Sequence, residues 1–460
     1  MILPQYDVAI IGAGVVGCAL FRRFCLGGAR TLLIEKGGDI LSGASKGNSA
    51  MFHTGYDAPS GSLELACIRA GYEEYLAIRE SLNLPLLHTG GLLVAWNEDE
   101  QAKLPAIADQ ARANGVTDTD LIDGAELRRR EPNLAPEARA AVVIPGEHIM
   151  DPWSPSLAYV LQGIAQGGEV RRATEVQGGD LANGTWTLRT NNGPAQARFV
   201  INASGNYGDL VEAIARPSPF AVKPRKGQFV VFDKPASRLI TSSILPVPTE
   251  RTKGVMMCRT IFGNLIVGPT AEDQDDRADA SVDQAMLRHL IEQGRRRVPR
   301  LADQTVTAVY AGLRPATQFK DYQVEVLPDR NWITANGIRS TGLTGALGIA
   351  QHVAGLYAKH FGALRDPATS TAIRMPNLAE HLPRPYQQPG PGEIVCHCEL
   401  VTRAEIDAAL QGPLPAGDLG GLRRRTRCMM GRCQGFYCSA RIFELAQGKL
   451  PDIPASADGA

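Results

Sequence analysis

The sequence has few aromatic residues, no net charge and no long apolar run. Phe, Trp and Tyr make up 6% of its 460 residues, and 48 basic side chains balance 48 acidic ones. A net charge of zero argues against a broad basic surface, so we expect no nucleic-acid partner. No stretch reaches 18 uninterrupted apolar residues. We therefore expect no membrane span, which leaves peripheral association with a membrane open.

The N-terminus lacks the features of a secretory signal. Residues 1–6 carry no basic side chain, and glycines interrupt the apolar run that follows. We therefore expect a cytoplasmic protein. A length of 460 residues with 44% apolar residues is sufficient for two or three domains with complete hydrophobic cores.

Cysteine is the unusual component of the composition, because its nine residues are unevenly distributed. Four are scattered through the first 260 residues, and five fall within the last 65. The clustered five are Cys396, Cys398, Cys428, Cys433 and Cys438. An odd, clustered set in a chain expected to be cytoplasmic indicates metal or redox chemistry rather than a disulfide framework.

The N-terminal segment predicts a βαβ unit with a dinucleotide-binding fingerprint. A continuously apolar strand, 7–11, leads into a glycine-rich turn and a helix, and a second strand follows at 31–34. The fingerprint residues are Gly12, Gly14, Gly17 and Glu35. Such glycines bring backbone N–H groups and a helix N-terminus close to a pyrophosphate, and the acid accepts hydrogen bonds from ribose hydroxyls. A glycine-rich turn without a ligand is the alternative, and the fingerprint does not separate FAD from NAD.

Later segments repeat the α/β character on either side of a β-rich region. Residues 198–205 predict a strand that runs into a small-residue turn, and a strand at 332–336 precedes a helix at 349–360. Residues 216–315 are rich in β-branched runs, which is typical of a mixed or antiparallel sheet. Prolines between 367 and 391 predict a stiff, extended linker before the cysteine cluster.

Several separate motifs resemble those of one family. They are residues 6–17 with Glu35, 42–55, 222–228, 263–270, 312–315 and 337–348. Over about residues 5–365 the chain resembles FAD-dependent enzymes of the D-amino-acid oxidase superfamily. Within it, the motifs are similar to those of the glycerol-3-phosphate dehydrogenase and L-2-hydroxyglutarate oxidase group.

The resemblance implies FAD as the cofactor and assigns contacts to it. Small polar side chains in 45–49 would face the flavin ring and phosphates, and Val176, at the end of a strand, would clamp the adenine. Backbone N–H groups of 342–345 would lie near the flavin pyrimidine edge, where the reduced ring carries negative charge. Beyond the fingerprint, the implied FAD-binding residues are Ser45, Asn48, Ser49, Val176, Ala203, Gly205, Gly342, Leu343, Thr344 and Gly345.

The resemblance also implies two catalytic side chains. His53 would take the substrate hydroxyl proton as hydride moves to the flavin, and covalent attachment of FAD there stays open. Arg314 would grip an anionic group of the substrate with its planar guanidinium. A packed core histidine and an arginine in a surface ion pair are the alternatives. The sequence departs from the L-2-hydroxyglutarate pattern at Tyr56 and Asp57, which leaves the nature of the substrate pocket open.

The C-terminal cysteines resemble a bacterioferritin-associated ferredoxin-like [2Fe–2S] module. Modules of this kind are fused to anaerobic glycerol-3-phosphate dehydrogenase and to some opine and hydroxyproline dehydrogenase subunits. The resemblance implies four thiolate ligands. They are Cys396, Cys398, Cys433 and Cys438, which leaves Cys428 unassigned. A zinc site with four thiolates is the alternative.

We therefore predict an α/β (α+β) fold in which an FAD-binding Rossmann-like domain is interrupted by a mixed β-sheet substrate domain, followed by a small helical iron–sulfur module. The predicted parts are the FAD-binding domain at 1–85, 161–215 and 316–365, the substrate domain at 86–160 and 216–315, the linker at 366–390, the module at 391–450 and a tail at 451–460.

Together the two centres predict a dehydrogenase for a small anionic hydroxy compound of the glycerol-3-phosphate or 2-hydroxy-acid type. A flavin takes two electrons as a hydride, whereas a [2Fe–2S] cluster carries one, so electrons would leave singly to a partner subunit, another carrier or quinone. One alternative is a subunit of an amine or imino-acid dehydrogenase of the opine or hydroxyproline type. The other is a non-catalytic flavin and iron–sulfur electron-transfer protein.

Overall fold

Two large sheets and a C-terminal module organise the chain in the computed structural model, which describes residues 5–248, 254–365, 371–390 and 392–453. The strands are β1 (Gln5–Ile11), β2 (Thr31–Ile34), β3 (Met51–Phe52), β4 (Leu86–Leu87), β5 (Gly91–Ala95), β6 (Asp120–Asp123), β7 (Ala140–Ile144), β8 (His148–Met150), β9 (Glu169–Arg171), β10 (Val176–Ala182), β11 (Thr185–Thr190), β12 (Ala195–Asn202), β13 (Arg225–Phe232), β14 (Ser243–Pro246), β15 (Met256–Arg259), β16 (Leu265–Gly268), β17 (Glu272–Asp273), β18 (Val306–Arg314), β19 (Gln323–Leu327), β20 (Trp332–Asn336), β21 (Ile394–Cys396) and β22 (Val401–Thr402).

The α-helices follow the same chain order. They are α1 (Val15–Leu26), α2 (Leu63–Ile78), α3 (Glu98–Ala113), α4 (Gly124–Arg130), α5 (Ser154–Ala165), α6 (Gly208–Glu212), α7 (Gln284–Arg297), α8 (Gly342–Phe361), α9 (Arg403–Ala409), α10 (Leu419–Thr426) and α11 (Ser439–Ala446). None of the helices in the described part of the chain is both long and apolar enough to cross a membrane.

The first sheet has a parallel centre, in which β1 lies between β12 and β2, β2 pairs with β9, and β12 pairs with β20. Two antiparallel hairpins, β10–β11 and β19–β20, extend it. The parallel strands are almost continuously buried because α1 and α8 cover one face, where Phe24 and Tyr357 meet edge to face. The carboxyl ends of β1, β2 and β12 thus share one edge, at which α/β proteins bind ligands.

The second sheet has the order β17-β13-β16-β15-β14-β5-β7-β6, with β18 also paired to β13. The sheet is mixed, as the β-branched runs predict: β14 pairs with β5 in parallel, and the other strand pairs of the sheet are antiparallel. Phe232 and Leu265 lie in its core with Leu290 of α7. A small sheet, β3-β8-β4, carries the residues that precede His53.

Three sequence-based boundaries differ from the structure. α8 begins at Gly342, seven residues before the predicted start at 349, because its glycines let it pack against α2: a Cβ on Gly348 would lie 2.1 Å from the Cys67 carbonyl oxygen. Val176 begins β10 rather than ending a strand, since β9 stops at Arg171. The predicted domain boundary at 160 falls inside α5, which packs on α1.

The proline-rich segment is not a free spacer where it is described. Residues 371–390 contain only one short turn of helix, Pro385–Gln387, as their prolines predict, but Met375, Leu378 and Ala379 are buried in the main core. Apolar burial therefore holds this segment against the catalytic body, which we define as residues 5–365. Residues 366–370 and 391, and the tail at 454–460, lie outside the described residues.

The C-terminal module has its own core, built from β21, β22 and α9–α11 around Ile406, Leu422 and Ile442. A buried carboxylate, Asp39, joins it to the first sheet. Asp39 accepts hydrogen bonds from both terminal nitrogens of the Arg425 guanidinium, from Arg172 (3.3 Å) and from the Gly417 N–H (3.1 Å). Burial alone would raise the pKa of the Asp39 carboxyl, but Arg425, the Gly417 N–H and Arg172 together outweigh burial and lower it.

Replacing Asp39 with Asn should therefore destabilise the contact between the module and the body. The variant leaves Arg425 buried without its counter-charge, and we expect a loss of about 3–5 kcal/mol in the free energy of unfolding at neutral pH. Urea denaturation of the FAD-loaded protein measures it. Because the folded-state pKa of Asp39 is lowered, its contribution is present above the unfolded-state pKa and disappears as pH falls through the folded value.

The matched control is Asp180→Asn, which removes the exposed partner of Arg189. Exposed ion pairs contribute little, so this variant should lose less than about 1 kcal/mol. Equal losses from the two variants would contradict the role of Asp39.

Candidate active site

An elongated cleft follows the carboxyl edge of the first sheet. It consists of two adjoining cavities of about 480 and 160 Å³. Glu35 and Val176 line the larger cavity, and Arg314 and Gly342 line the smaller one. The residues that line both are Gly14, Ala44, Ser45, Ala203, Gly205, Gly312 and Leu313. The cleft therefore brings most of the predicted FAD-binding residues together along one line.

Two fingerprint glycines are required by close backbone approaches. Gly12 has a φ of +102°, and a Cβ there would lie 2.6 Å from the carbonyl oxygen of Ala203, at the end of β12. A Cβ on Gly17 would lie 1.8 Å from the Gly12 oxygen, so any side chain would separate α1 from the turn. The turn is thus held where N–H groups of the α1 N-terminus face the cleft.

Glu35 lies at the end of β2 with both carboxylate oxygens engaged. One accepts the Ala13 N–H (2.8 Å) and the other the Gly37 N–H (2.7 Å). Burial raises the pKa of the Glu35 carboxyl despite these two hydrogen bonds. Each oxygen has a further lone pair for a ribose hydroxyl, so the residue fits the predicted contact.

The segment 45–49 forms part of the wall of the smaller cavity. The Ser45 hydroxyl accepts the Val15 N–H (3.1 Å), while Asn48 donates to the Ser45 carbonyl (3.0 Å) and accepts from the Ala50 N–H (2.7 Å). Both side chains hydrogen-bond the local backbone and so shape the loop. Ser49 lies beside Asn48 in the same wall.

The first turn of α8 closes the opposite end of the cleft. Gly342 and Leu343 line the smaller cavity, whereas Thr344 and Gly345 do not. The Thr344 hydroxyl instead accepts the backbone N–H of His53 (3.0 Å). His53 itself is not among the residues that line the two cavities, and Thr344 connects it to the end that Gly342 and Leu343 form.

The side chain of His53 is held by a buried carboxylate that the sequence interpretation missed. His53 Nδ1 lies 3.0 Å from Oε2 of Glu147, whose side chain is fully buried. The other Glu147 oxygen accepts the N–H (2.6 Å) and the hydroxyl (2.8 Å) of Thr54. A proton on Nδ1 directed at Glu147 makes Nε2 the basic nitrogen of His53. In the sequence, Glu147 is marked only as a charged residue that follows an apolar strand, and it lies 94 residues from His53.

Arg314 ends β18 and lines the smaller cavity. Its guanidinium donates to the carbonyl oxygens of Arg225 (3.3 Å), Lys226 (3.2 Å) and Thr270 (2.6 Å), and it forms no ion pair with the described residues. Burial lowers the pKa of Arg314 to about 10, so the group keeps its charge at neutral pH. Neutral carbonyls orient the cation without neutralising it, which fits recognition of an anion.

The clustered cysteines lie near one another and include two pairs of neighbouring thiols. Burial and the neighbouring Cys433 thiol raise the pKa of Cys398, to which Cys396 also contributes, and burial and the neighbouring Cys396 thiol raise the pKa of Cys438. Cys428 is buried near them, and burial raises the pKa of its thiol to about 11. Across the described ranges, no group of three or more His, Cys, Asp or Glu side chains is arranged to hold a metal ion.

A family model described as FAD dependent oxidoreductase (DAO) matches residues 7–356. The chain belongs to this family. The glycerol 3-phosphate dehydrogenase of Caloramator mitchellensis is 29% identical over 454 residues, which cover 97% of this chain and 95% of that protein. Subunit A1 of the anaerobic glycerol-3-phosphate dehydrogenase of Haloferax volcanii is 25% identical, with 95% and 82% covered.

Among solved structures, the dithionite-reduced L-alpha-glycerophosphate oxidase from Mycoplasma pneumoniae with FAD bound superposes with a TM-score of 0.76 at 26% identity. The match covers 82% of this chain and all of that one. The enzyme is therefore an FAD-dependent oxidoreductase with the mixed α/β FAD-binding fold of its family, and it resembles glycerol-3-phosphate dehydrogenases. The predictions of fold and of FAD are confirmed to that extent, and the iron–sulfur cluster stays a prediction.

The Gly12 contact predicts that Gly12→Ala binds FAD at least about tenfold more weakly, because the Cβ must displace the Ala203 carbonyl and φ is unfavourable. Equilibrium dialysis of the apoprotein with FAD measures this, with far-UV circular dichroism to show that the variant is folded. Gly355→Ala in α8 is the control, since no atom of the described residues lies within 4 Å of its Cβ position. Equal affinity in both variants would show that the turn does not hold the cofactor.

Proposed function

We propose that this enzyme oxidises glycerol 3-phosphate or a closely similar small anionic alcohol by hydride transfer to FAD. In the same proposal, electrons leave through a [2Fe–2S] cluster in the C-terminal module to a partner subunit, another carrier or quinone. The observation that carries the catalytic part is His53 held by the buried Glu147 beside the end of the flavin cleft that Arg314 lines.

The roles of the residues follow from their positions. When bound, FAD supplies the two-electron acceptor. His53 takes the proton of the substrate hydroxyl on Nε2, and Glu147 orients the ring and stabilises the charge that the ring then carries. Arg314 binds the anionic end of the substrate. The N–H groups at the start of α8 favour negative charge at the adjacent end of the cleft.

The choice of substrate has two supports. One is the buried cationic guanidinium of Arg314 in the cleft, which suits a phosphate or a carboxylate. The other is that a glycerol 3-phosphate dehydrogenase, at 29% identity, matches nearly the whole chain, including the C-terminal module. That match favours phosphate over carboxylate as the anionic group.

The cysteine pairs support the cluster. A [2Fe–2S] cluster has four cysteine ligands on two irons, two per iron. In this proposal, Cys398 with its neighbour Cys433 and Cys396 with its neighbour Cys438 would each supply the two ligands of one iron. A structural zinc site instead needs four thiolates around one ion. The N-terminus of α11, whose N-cap residue is Cys438, would favour the negative charge of a thiolate-bound cluster.

The cluster proposal predicts the metal content of the protein. Anaerobically purified enzyme should contain about two irons and two acid-labile sulfides per chain, with little zinc. Cys433→Ser and Cys438→Ser should lose both iron and sulfide while retaining FAD, whereas Cys428→Ser should retain all three. Flavin without iron or sulfide in the wild-type protein would contradict the proposal.

The catalytic proposal predicts that Glu147→Gln slows reduction of the flavin by glycerol 3-phosphate by about 10- to 100-fold. A general base contributes a rate acceleration of about 10²- to 10⁴-fold, and the variant should lose a part of it. The amide keeps the size of the side chain but removes the charge that stabilises protonated His53. Anaerobic stopped-flow absorbance of the flavin at saturating substrate measures the rate.

The control for this experiment is Glu73→Gln, on the exposed face of α2. It should reduce its flavin at the wild-type rate, and both variants should bind FAD normally. Wild-type reduction by Glu147→Gln would remove His53 and Glu147 from the proton transfer.

A further inference from the structure

A third cavity, of about 800 Å³, lies between the catalytic body and the C-terminal module. The body contributes the far side of the 46–50 loop together with Trp153 and Phe262, and the module contributes Arg423, Arg427 and other residues. The cavity adjoins the flavin cleft, because it shares residues 47–49 with the smaller cavity of the cleft and Ser42, Lys46, Ala280 and Ala311 with the larger one. Neither His53 nor Arg314 lines it. A volume of this size is typical of a small-molecule site.

Arg427 is the least satisfied buried cation in the wall of this cavity. It is 6% exposed and lies 4.0 Å from the ring centroid of Phe262. It forms a long ion pair with Glu399 (3.4 Å) and a long hydrogen bond to the sulfur of Met430 (3.8 Å), and its Nε has no hydrogen-bond partner among the described residues. Burial of an incompletely paired charge is unfavourable, so such a group in a cavity wall points to an anion.

Two further cations in the wall of the cavity add to the positive charge of Arg427, and the carboxylates in the wall do not pair with them. The buried Nε of Arg423 has no hydrogen-bond partner, and neither Arg423 nor Lys46 forms an ion pair with any described residue. The two carboxylates in the wall are already engaged at the start of α10. Asp418 accepts the Gly421 N–H (2.5 Å), and Asp452 accepts the Leu419 N–H (2.8 Å).

The body side of the wall is aromatic. The rings of Trp153 and Phe262 are stacked, with centroids 5.4 Å apart and planes 19° from parallel. Tyr310 also lines the cavity, where its hydroxyl donates to the carbonyl of Asn48 (2.8 Å). Because Arg427 lies over Phe262, a ligand ring would pack against Trp153 and Tyr310, and aromatic surfaces next to guanidinium groups suit a flat ring that carries negative charge.

We propose that this cavity is a second ligand site, separate from the flavin cleft, that binds a small aromatic anion, a flat ring bearing a phosphate or carboxylate group. The ring packs against the aromatic wall of the body, and the anion faces Arg423 and Arg427 of the module. A ligand there contacts both parts of the protein at once and therefore also stabilises their contact.

Isothermal titration of the FAD-loaded full chain tests the site with 1-naphthyl phosphate, 1-naphthoate and the neutral 1-naphthalenemethanol as probes. Both anions should bind with one site per chain, and the neutral probe should bind about tenfold more weakly or not at all. Binding should persist when the substrate site is filled with excess dihydroxyacetone phosphate, the product of the proposed reaction. Competition by that product would place the probe in the substrate site and overturn the proposal.

Two variants locate the probe. Arg423→Gln should weaken binding of the anionic probes about tenfold or more, and Ala308→Phe, which fills the cavity from β18, should abolish it. Arg288→Gln, on an exposed position of α7 outside the cavity, should bind as the wild type does. Absence of anion binding to the wild type, equal binding of the neutral probe, or unchanged binding by both cavity variants would each overturn the proposal. None of these readouts measures turnover. The comparison of the three probes and of the variants does not assume the proposed substrate, and the competition experiment alone rests on the proposed function.

Discussion

The buried ion pair between Asp39 and Arg425 is the interaction on which the arrangement of this protein depends. Asp39 follows β2 and Glu35, which lines the flavin cleft, and Arg425 belongs to α10 of the module. The Asp39 carboxylate is fully buried and engaged by two arginines and by the backbone N–H groups of Ile40 and Gly417. The module has a core of its own, and its Leu414 and Met430 also pack on the core of the body, so the charged contact acts together with this packing to hold the cysteines relative to the flavin cleft. The proposed electron transfer would need such a fixed distance.

Within the body, the chemistry follows from the edge of a parallel sheet. The Gly12 turn approaches the end of β12 so closely that only glycine fits, and this opens the cleft along the carboxyl ends of the strands. The start of α8 and the His53 segment meet at the far end through Thr344. Glu147 reaches the same place from the turn before β8, so residues from three distant parts of the chain form one site.

The sequence predicted those features that depend on local patterns. The strands at 31–34 and 332–336 coincide with β2 and β20, because buried parallel strands are continuously apolar. The predicted start of α8 was wrong, because glycines that allow close packing against α2 are indistinguishable in the sequence from the glycines of a loop. Glu147 could not be found, because its role depends on a contact across 94 residues. Likewise, the sequence shows how many cysteines are clustered but not which thiols are neighbours. Burial of the proline-rich segment could not be predicted either, because it depends on the surface that the segment covers.

The central claim is that oxidation of the substrate at the flavin sends single electrons to the cysteine module. Rapid-freeze electron paramagnetic resonance of the anaerobic enzyme, mixed with glycerol 3-phosphate, tests it most directly. The account predicts that the signal of a reduced [2Fe–2S] cluster rises as the flavin absorbance falls. Loss of the flavin absorbance without any cluster signal would contradict it.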